Sequence, residues 1–145
     1  MNEDDRLENF LLEIRQISKL VFLVKNNALK EKGLKQIHTM ILFFLSLKGP
    51  LTNAELVKLS KEDKAAISKA CHLLKNLNLI TFHNGYKEKI SLTEEGSRLA
   101  EEIRHDGHLA LTEARKEISD EDAKIFVDTL HKIRTNLEEY LKAGN

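Results

Sequence analysis

One short segment of the chain carries residue types that bind phosphates and the edges of bases. Between residues 60 and 77 the apolar positions recur at helical spacing on one face, at Ile67, Ala70, Cys71, Leu74 and Leu77. The opposite face carries polar and small residues, namely Lys64, Ala65, Ser68, Lys69 and His72. Lysine side chains gain affinity for DNA because they release the counterions that condense on its phosphates. The pattern predicts a helix whose polar face can lie against DNA, although a merely solvated face would look the same.

Positive charge is concentrated in the same part of the chain. Residues 57–92 hold seven basic and three acidic side chains, against eight and seven in residues 1–56 and eight and thirteen in residues 93–145. The whole chain has 23 basic and 23 acidic side chains and a formal net charge of zero. A neutral chain is not a general coat for nucleic acid, so the excess favours one local basic patch. Its lysines are Lys58, Lys61, Lys64, Lys69, Lys75, Lys87 and Lys89.

The elements around this segment predict a helix–turn–helix followed by a β-hairpin. The capping box Thr52-Asn53-Ala54-Glu55 predicts the start of one short helix, and Ser60-Lys61-Glu62-Asp63 predicts the start of the next. Asn84-Gly85, between the β-prone segments 79–82 and 89–92, predicts a tight hairpin turn. In such a winged helix the second helix of the pair enters the major groove, and the hairpin reaches the neighbouring backbone or minor groove.

Long amphipathic helices are predicted on both sides of this unit. Apolar residues recur at helical spacing from Leu7 to about Leu29, and Gly33 marks the end of that helix. A second, centrally placed helix is apolar nearly all round and ends at Lys48-Gly49-Pro50. Thr93 and Ser119-Asp120-Glu121-Asp122 predict the starts of two further helices. The apolar face of the first helix is wider than one partner helix would need to cover.

Several segments together resemble the MarR family of winged-helix transcriptional regulators. They are Leu51-Thr-Asn-Ala-Glu-Leu56, Glu62-Asp-Lys-Ala-Ala-Ile-Ser-Lys-Ala70, Leu73-Leu-Lys-Asn-Leu-Asn-Leu-Ile80 and Ser91-Leu-Thr-Glu-Glu-Gly96. The resemblance covers most of the chain and is strongest over residues 34–104. It implies a mainly α fold with a small β-hairpin wing, in a single domain over residues 1–145. Residues 34–92 would form the winged helix–turn–helix, and 1–33 and 93–145 a helical dimerisation region from both termini.

The resemblance also implies a function and partners. A homodimer with interlocked first and last helices would bind double-stranded DNA at a pseudo-palindromic operator, as a sequence-specific transcriptional regulator and repressor. A small-molecule effector could change the spacing of its two DNA-reading helices. Aromatic side chains could border a pocket for it between the first, second and fifth helices, although aromatics at helical spacing are more often core. They are Phe10, Phe22, Phe43 and Phe44.

The resemblance places the candidate DNA-binding residues at the start of the second helix of the pair. They are Lys64, Ala65, Ala66, Ser68 and Lys69. Lys69 stands where the family often has Arg, and lysine lacks the bidentate fork of that side chain. Ser68 could donate to a phosphate or a base, and the two alanines could contact thymine methyl groups. His72 on the same face completes this part of the site.

Four further candidates lie outside that helix. Thr52 and Asn53 stand at a helix N-terminus, which suits a phosphate contact. Lys87 and Lys89 belong to the hairpin. The family's wing is usually longer and often carries Asp-Arg-Arg near its tip, so the short hairpin here leaves these lysines, with His83 and Tyr86, to make that contact.

Two other groups could sense a signal. Cys71 could be a thiol sensor, but its place on the apolar face between Ile67 and Leu74 favours an inert core thiol. His105 and His108 lie three residues apart on one helix, and His38 and His131 could approach from elsewhere to complete a metal site. A solvated surface pair is the favoured interpretation. We predict no metal and no cofactor.

The sequence lacks the signatures of an enzyme. It has no Gly-rich phosphate loop, no Cys–His pair on suitable elements and no carboxylate pair in an apolar context. The main rival hypothesis is a winged-helix dimer that serves as a protein-interaction module without DNA binding. An acidic N-terminus unlike a signal peptide, short apolar runs and a single cysteine favour a cytoplasmic protein without a membrane span.

Overall fold

A computed structural model describes residues 2–24, 29, 31–83 and 88–145 of the chain. Six helices and three short strands lie within these residues. Their order is α1 (Glu3–Val24), α2 (Gln36–Lys48), β1 (Leu51–Thr52), α3 (Asn53–Ser60), α4 (Lys64–Asn76), β2 (Ile80–Thr81), β3 (Lys89–Leu92), α5 (Glu94–Ala114) and α6 (Asp120–Lys142). The predicted mainly α architecture with a small β wing is confirmed.

The chain divides into two compact units, residues 1–110 and residues 111–145. The first unit contains the helix–turn–helix, the sheet and most of α5, and the second contains α6. The predicted functional division into residues 34–92 and two terminal segments follows a different criterion and stays a prediction.

The hydrophobic core of the first unit lies under the helix–turn–helix. It combines side chains from α2, α3, α4, β2 and α5 that are at most 2% exposed, among them Ile41, Leu42, Leu56, Ile67, Leu74, Ile80 and Ile103. As the sequence predicted, α2 is central. It ends at Lys48, and its C-cap is Gly49, whose φ of 79° suits glycine and whose N–H donates to the Leu45 carbonyl. Burial of these aliphatic side chains fixes α4 by its apolar face and leaves its polar face outside.

The wing sheet has three strands rather than the two expected from the sequence. β1 pairs with β3 in antiparallel register, Leu51 opposite Ile90, and β3 pairs with β2, Ile80 opposite Leu92. β1 was missed because two residues are too short to show the period of a strand. It ties the start of the helix–turn–helix to the hairpin. The predicted turn at Asn84-Gly85 lies outside the described residues.

Side-chain caps set most of the helix starts. Thr52 Oγ1 accepts from the Glu55 N–H at 3.1 Å, and Ser119 Oγ accepts from the Asp122 N–H at 3.0 Å, as the sequence predicted. The predicted start of α4 at Ser60 was wrong. Ser60 ends α3, Lys61 takes a left-handed conformation with a φ of 61°, and Asp63 caps α4 by accepting from the Ala66 N–H at 2.7 Å.

The first helix of the structure begins at Glu3 and ends at Val24. The predicted continuation to about Leu29 falls largely on residues 25–28, outside the described part of the chain. Leu29 is itself 1% exposed and belongs to the core. Between α1 and α2, Gln36 Nε2 donates to Ser18 Oγ at 2.7 Å, which joins the two helices.

The start of α5 lies directly against the turn after α4. Thr93 Oγ1 accepts from the Gly96 N–H at 3.0 Å and donates to the Asn78 carbonyl at 2.7 Å, while the Thr93 N–H donates to the Leu79 carbonyl at 3.1 Å. A Cβ on Gly96 would lie 1.8 Å from the Leu79 carbonyl oxygen. This position therefore has room only for glycine.

Candidate nucleic-acid interface

The polar face of α4 is exposed, as its sequence pattern predicts. Lys64, Ala65, Lys69 and His72 are exposed, and Ala66 and Ser68 are half-buried. Ile67, Ala70, Cys71 and Leu74 on the opposite face are at most 3% exposed. The helix thus presents two lysines, a hydroxyl, an imidazole and two small methyl groups along one surface. These groups can bind phosphates, accept or donate to base edges and contact thymine methyls.

The residues at the start of α3 have a different environment from those on α4. The oxygen of Thr52 is engaged in capping, and Asn53 is half-buried. The Asn53 Oδ1 atom is buried and finds no hydrogen-bond partner within the described residues. Asn53 lines a small cavity of about 110 Å³ between α4 and the wing. The other lining residues are the polar Ser68, His72, His83 and Glu88 and the apolar Cys71, Phe82 and Ile90. Thr52 and Asn53 are half-buried, whereas Lys64 and Lys69 are exposed.

The wing presents one of its predicted lysines within the described residues. Lys89 is exposed at the start of β3. Lys87 and Tyr86, which were also expected to contact DNA, lie outside the described residues. His83 is exposed, and its N–H donates to Glu88 Oε2 at 2.9 Å across the hairpin.

One cluster of side chains between α4 and the wing was not predicted from the sequence. Lys75 Nζ donates to the Phe82 carbonyl at 2.8 Å and lies 4.4 Å from the centroid of the Phe82 ring. The His72 ring meets the same phenyl ring edge-on, with the centroids 5.6 Å apart. We call these three residues the Phe82 cluster. From its helical spacing, Lys75 was expected only to be one more basic side chain. Its partner Phe82 lies seven residues further along the chain, after β2, so helical spacing cannot show the contact.

Burial decides the chemistry of Cys71. Its side chain is 2% exposed, and burial raises the pKa of the thiol to about 11. A thiol with such a pKa holds almost no thiolate at neutral pH and is a poor nucleophile. The environment agrees with the interpretation of Cys71 as an inert core residue.

The histidines are dispersed over several environments. His38 is buried at the start of α2, where its Nδ1 accepts from the Lys35 N–H at 2.9 Å, and burial followed by the charge of Lys35 lowers its pKa. His105, His108 and His131 are exposed on α5 and α6. Among the residues described, no three His, Cys, Asp or Glu side chains are placed to hold a metal ion.

A cavity of about 290 Å³ lies between α1 and α2. Its lining is apolar and aromatic with three polar side chains, and consists of Ser18, Val21, Phe22, Gln36, Thr39, Met40 and Phe43. Phe22 and Phe43, two of the four aromatics predicted to border an effector pocket, are thus brought together here. Phe10 and the fifth helix, which the prediction also included, contribute no residue to this lining. Phe44 packs instead against the core of the first unit.

The helices in the described residues are too short or too polar to cross a bilayer.

Comparison with known proteins gives structural rather than sequence matches. No protein-family model matches the chain, and no protein of curated function matches it. A protein from Listeria monocytogenes, described as a MarR family transcriptional regulator and crystallised with 26mer DNA, shares 25% identity at a TM-score of 0.78. The match covers 93% of this chain and 95% of that one.

Two further solved structures match at lower identity. A MarR protein from Peptoclostridium difficile shares 20% identity at a TM-score of 0.81, over 91% of this chain and 89% of that one. Bordetella bronchiseptica BpsR, whose DNA binding is regulated by 6-hydroxynicotinic acid, shares 19% identity at a TM-score of 0.76, over 89% and 98%. The chain therefore has the MarR-like winged-helix fold, and its structural neighbours along nearly its whole length are transcriptional regulators of the MarR family.

Proposed function

We propose that this chain is a MarR-family transcriptional repressor that binds a specific operator as a homodimer. The observation that carries the proposal is the exposed polar face of α4, which bears Lys64, Ser68 and Lys69 in a fold whose α4 is the second helix of a helix–turn–helix. That helix enters the major groove in proteins of this architecture. The Listeria neighbour was crystallised with DNA, which supports the same use of the fold here. The proposed role is to bind DNA and not to catalyse a reaction. The solved structures that share this fold belong to regulators.

Lys69 and Lys64 would supply most of the direct electrostatic attraction. Both are exposed on the same face, and each neutralised phosphate lowers the logarithm of the binding constant by about 0.9 per unit of log salt. Lys69 could also contact a guanine edge, although its ammonium group cannot make the bidentate pair of hydrogen bonds that an arginine makes. Lys89 would add a contact from the wing. Ala65 and Ala66 would add discrimination through thymine methyls rather than affinity.

A second copy of the chain is the proposed partner of the apolar surface on the terminal helices. None of the α6 residues, all of which are described, is buried in the single chain. Its exposed large apolar side chains are Ile125, Phe126, Val127, Leu137, Tyr140 and Leu141, and α1 exposes Leu11, Leu12, Ile14, Ile17, Leu20, Leu23 and Val24. So much exposed apolar side chain on one chain is typical of an interface. Two copies would present two α4 helices about one DNA turn apart, which a pseudo-palindromic operator matches.

The dimer has a direct test in one matched pair of variants. Leu137→Glu places a charge on the proposed interface, whereas Asn136→Glu adds the same charge at the neighbouring exposed residue. Because both side chains are exposed in the single chain, neither change should unfold a monomer. We expect sedimentation to give a dimer for the wild type and Asn136→Glu and a monomer for Leu137→Glu. Three monomers would contradict the dimer.

A small, largely apolar effector is proposed for the cavity between α1 and α2. Its volume of about 290 Å³ is just below the range of about 300–1,000 Å³ that is typical of ligand pockets, which suits a small ligand. Gln36, Ser18 and Thr39 offer polar contacts beside the aromatic side chains. The regulation of BpsR by 6-hydroxynicotinic acid supports this type of control. An effector that separated α1 from α2 would change the spacing of the two α4 helices, and with it the simultaneous engagement of both half-sites.

The test of the proposed function is a fluorescence anisotropy titration. A duplex from the region upstream of the gene is compared with a scrambled duplex at several salt concentrations. We expect tight binding of the first duplex alone, and a steep loss of that binding as salt rises. A folded protein that binds neither duplex would refute the proposal and favour a protein-interaction module.

A further inference from the structure

Beyond the last pair of β2 and β3, side chains rather than strand pairing hold the backbone of the wing. Within the described residues the last pair between β2 and β3 is Thr81 opposite Ser91, and Phe82 and His83 lie beyond it. Lys75 Nζ donates to the Phe82 carbonyl at 2.8 Å, and Glu88 Oε2 accepts from the His83 N–H at 2.9 Å. The side chains of Lys75 and Glu88 thus bind the backbone carbonyl of Phe82 and the backbone N–H of His83.

The first of these bonds joins the wing to α4. Lys75 lies in the last turn of α4, whereas Phe82 follows β2. The same ammonium group lies 4.4 Å from the centroid of the Phe82 ring, a distance at which a cation is attracted to the face of an aromatic ring. His72 meets the ring from one turn earlier on α4, at 5.6 Å between centroids. Phe82 is therefore held by α4 through both its carbonyl and its ring.

This geometry separates Lys75 from the other lysines of the basic segment. An ammonium has three donor hydrogens, and here one is directed to a carbonyl while the charge rests against a phenyl ring. Lys69, about 1.7 turns earlier, lies on the polar face of the helix, and both lysines are exposed. The two lysines thus have the same charge, and Lys75 alone is described in contact with Phe82.

We propose that Lys75 is a positioning residue that sets the angle between α4 and the wing, and that it acts on DNA binding through Phe82 instead of binding phosphate. The proposal rests on the proposed function, since the wing matters for binding only if the chain binds DNA. Lys75 would fix the side of the wing that follows β2, while Lys89 lies on β3, where it stands opposite Thr52 of β1. With both sides of the wing held, Lys89 could contact the backbone beside the groove that α4 occupies. Without Lys75 the wing would have to be ordered when DNA binds, at a cost in affinity.

The free protein provides a readout that is independent of DNA. Lys75→Met removes the donor and the charge but keeps most of the aliphatic stem, and Lys75→Arg keeps both. We expect the backbone amide of His83 in Lys75→Met to shift in the ¹H–¹⁵N spectrum and to exchange with solvent about fivefold faster. Lys75→Arg should restore the wild-type exchange, and Lys69→Met should leave it unchanged. An unchanged His83 amide in Lys75→Met would overturn the proposal.

A double-mutant cycle distinguishes positioning from phosphate binding. We expect Lys75→Met to remain folded by circular dichroism and to weaken operator binding about fivefold, and Lys75→Arg to restore binding to within about twofold. If Lys75 acts through the wing, its loss costs less in the Lys89→Met background than in the wild type. Fully additive losses would show an independent phosphate contact and overturn the proposal. Absence of DNA binding by the wild type would refute the proposed function, whereas the His83 amide would still report whether Lys75 holds the wing.

Discussion

Replacement of Gly96 by alanine should destabilise the fold, although alanine is the better helix former. Gly96 is the third residue of α5, and a Cβ there would lie 1.8 Å from the carbonyl oxygen and 2.8 Å from the carbonyl carbon of Leu79. Ordinary contacts between such atoms are about 3.5 Å long, so the two backbones would have to separate by roughly 1.7 Å. Both clashing atoms belong to the main chain and cannot rotate away.

The separation would act on several bonds at once. Thr93 donates to the Leu79 carbonyl at 3.1 Å and to the Asn78 carbonyl at 2.7 Å, and both bonds join the same two segments. Overpacking typically costs 1–3 kcal/mol, whereas the helix propensity of alanine returns about 1 kcal/mol at most, and less near a helix end. We expect a net loss of about 2 kcal/mol, which for a chain of this size lowers the melting temperature by about 4–8 °C.

Thermal unfolding followed by circular dichroism at one fixed protein concentration is the appropriate assay, because the stability of an oligomer depends on concentration. Ser97→Ala is the matched control, since residue 97 is the exposed neighbour in the same helix and should change the stability by no more than about 0.5 kcal/mol. A Gly96→Ala protein that melts at or above the wild-type temperature would refute the close approach of α5 to Leu79.

Two further predictions concern stability. Asp63→Ala removes the cap of α4 and should lower the free energy of unfolding by about 1 kcal/mol in a urea titration. Glu62→Ala, at the neighbouring exposed residue, should not lower it. Equal losses in the two variants would show that Asp63 does not stabilise α4 as a cap. Burial lowers the pKa of His38 below its usual 6.5, so below pH 6.5 the unfolded chain binds more protons than the folded one. The stabilisation by neutral His38 should therefore be complete above pH 6.5 and be lost as the pH falls through its folded pKa. His38→Gln should flatten this dependence in urea titrations between pH 5 and 7, and an unchanged slope would exclude His38 as its source.

The sequence predicted the local elements where one side chain decides them. Thr52, Thr93 and Ser119 cap their helices as expected because a cap depends on a hydroxyl and the next three residues alone. Asp63 was misjudged since the segment 60–63 contains several possible caps, and the left-handed turn at Lys61 decides among them. β1 was missed because its two residues are defined only by their partner strand.

The candidate site was predictable in outline but not in the roles of its members. Helical spacing is enough to separate the exposed Lys64 and Lys69 from the buried Ile67 and Leu74. It cannot show that Lys75 is bound to Phe82, because that contact depends on the path of the chain after α4. For the same reason the closeness of Gly96 to Leu79 appears only in three dimensions.

The most direct test of the central claim, that the chain binds DNA through the exposed face of α4, is the salt dependence of operator affinity in three proteins. The wild type is compared with Lys69→Met and with Lys132→Met, which removes the same charge from an exposed position on α6. Lys69→Met should weaken binding and reduce the slope of log affinity against log salt by about one, because one phosphate contact is lost. Lys132→Met should retain the wild-type affinity and slope. The same slope for Lys69→Met as for the wild type, or a loss shared equally by both variants, would contradict the account.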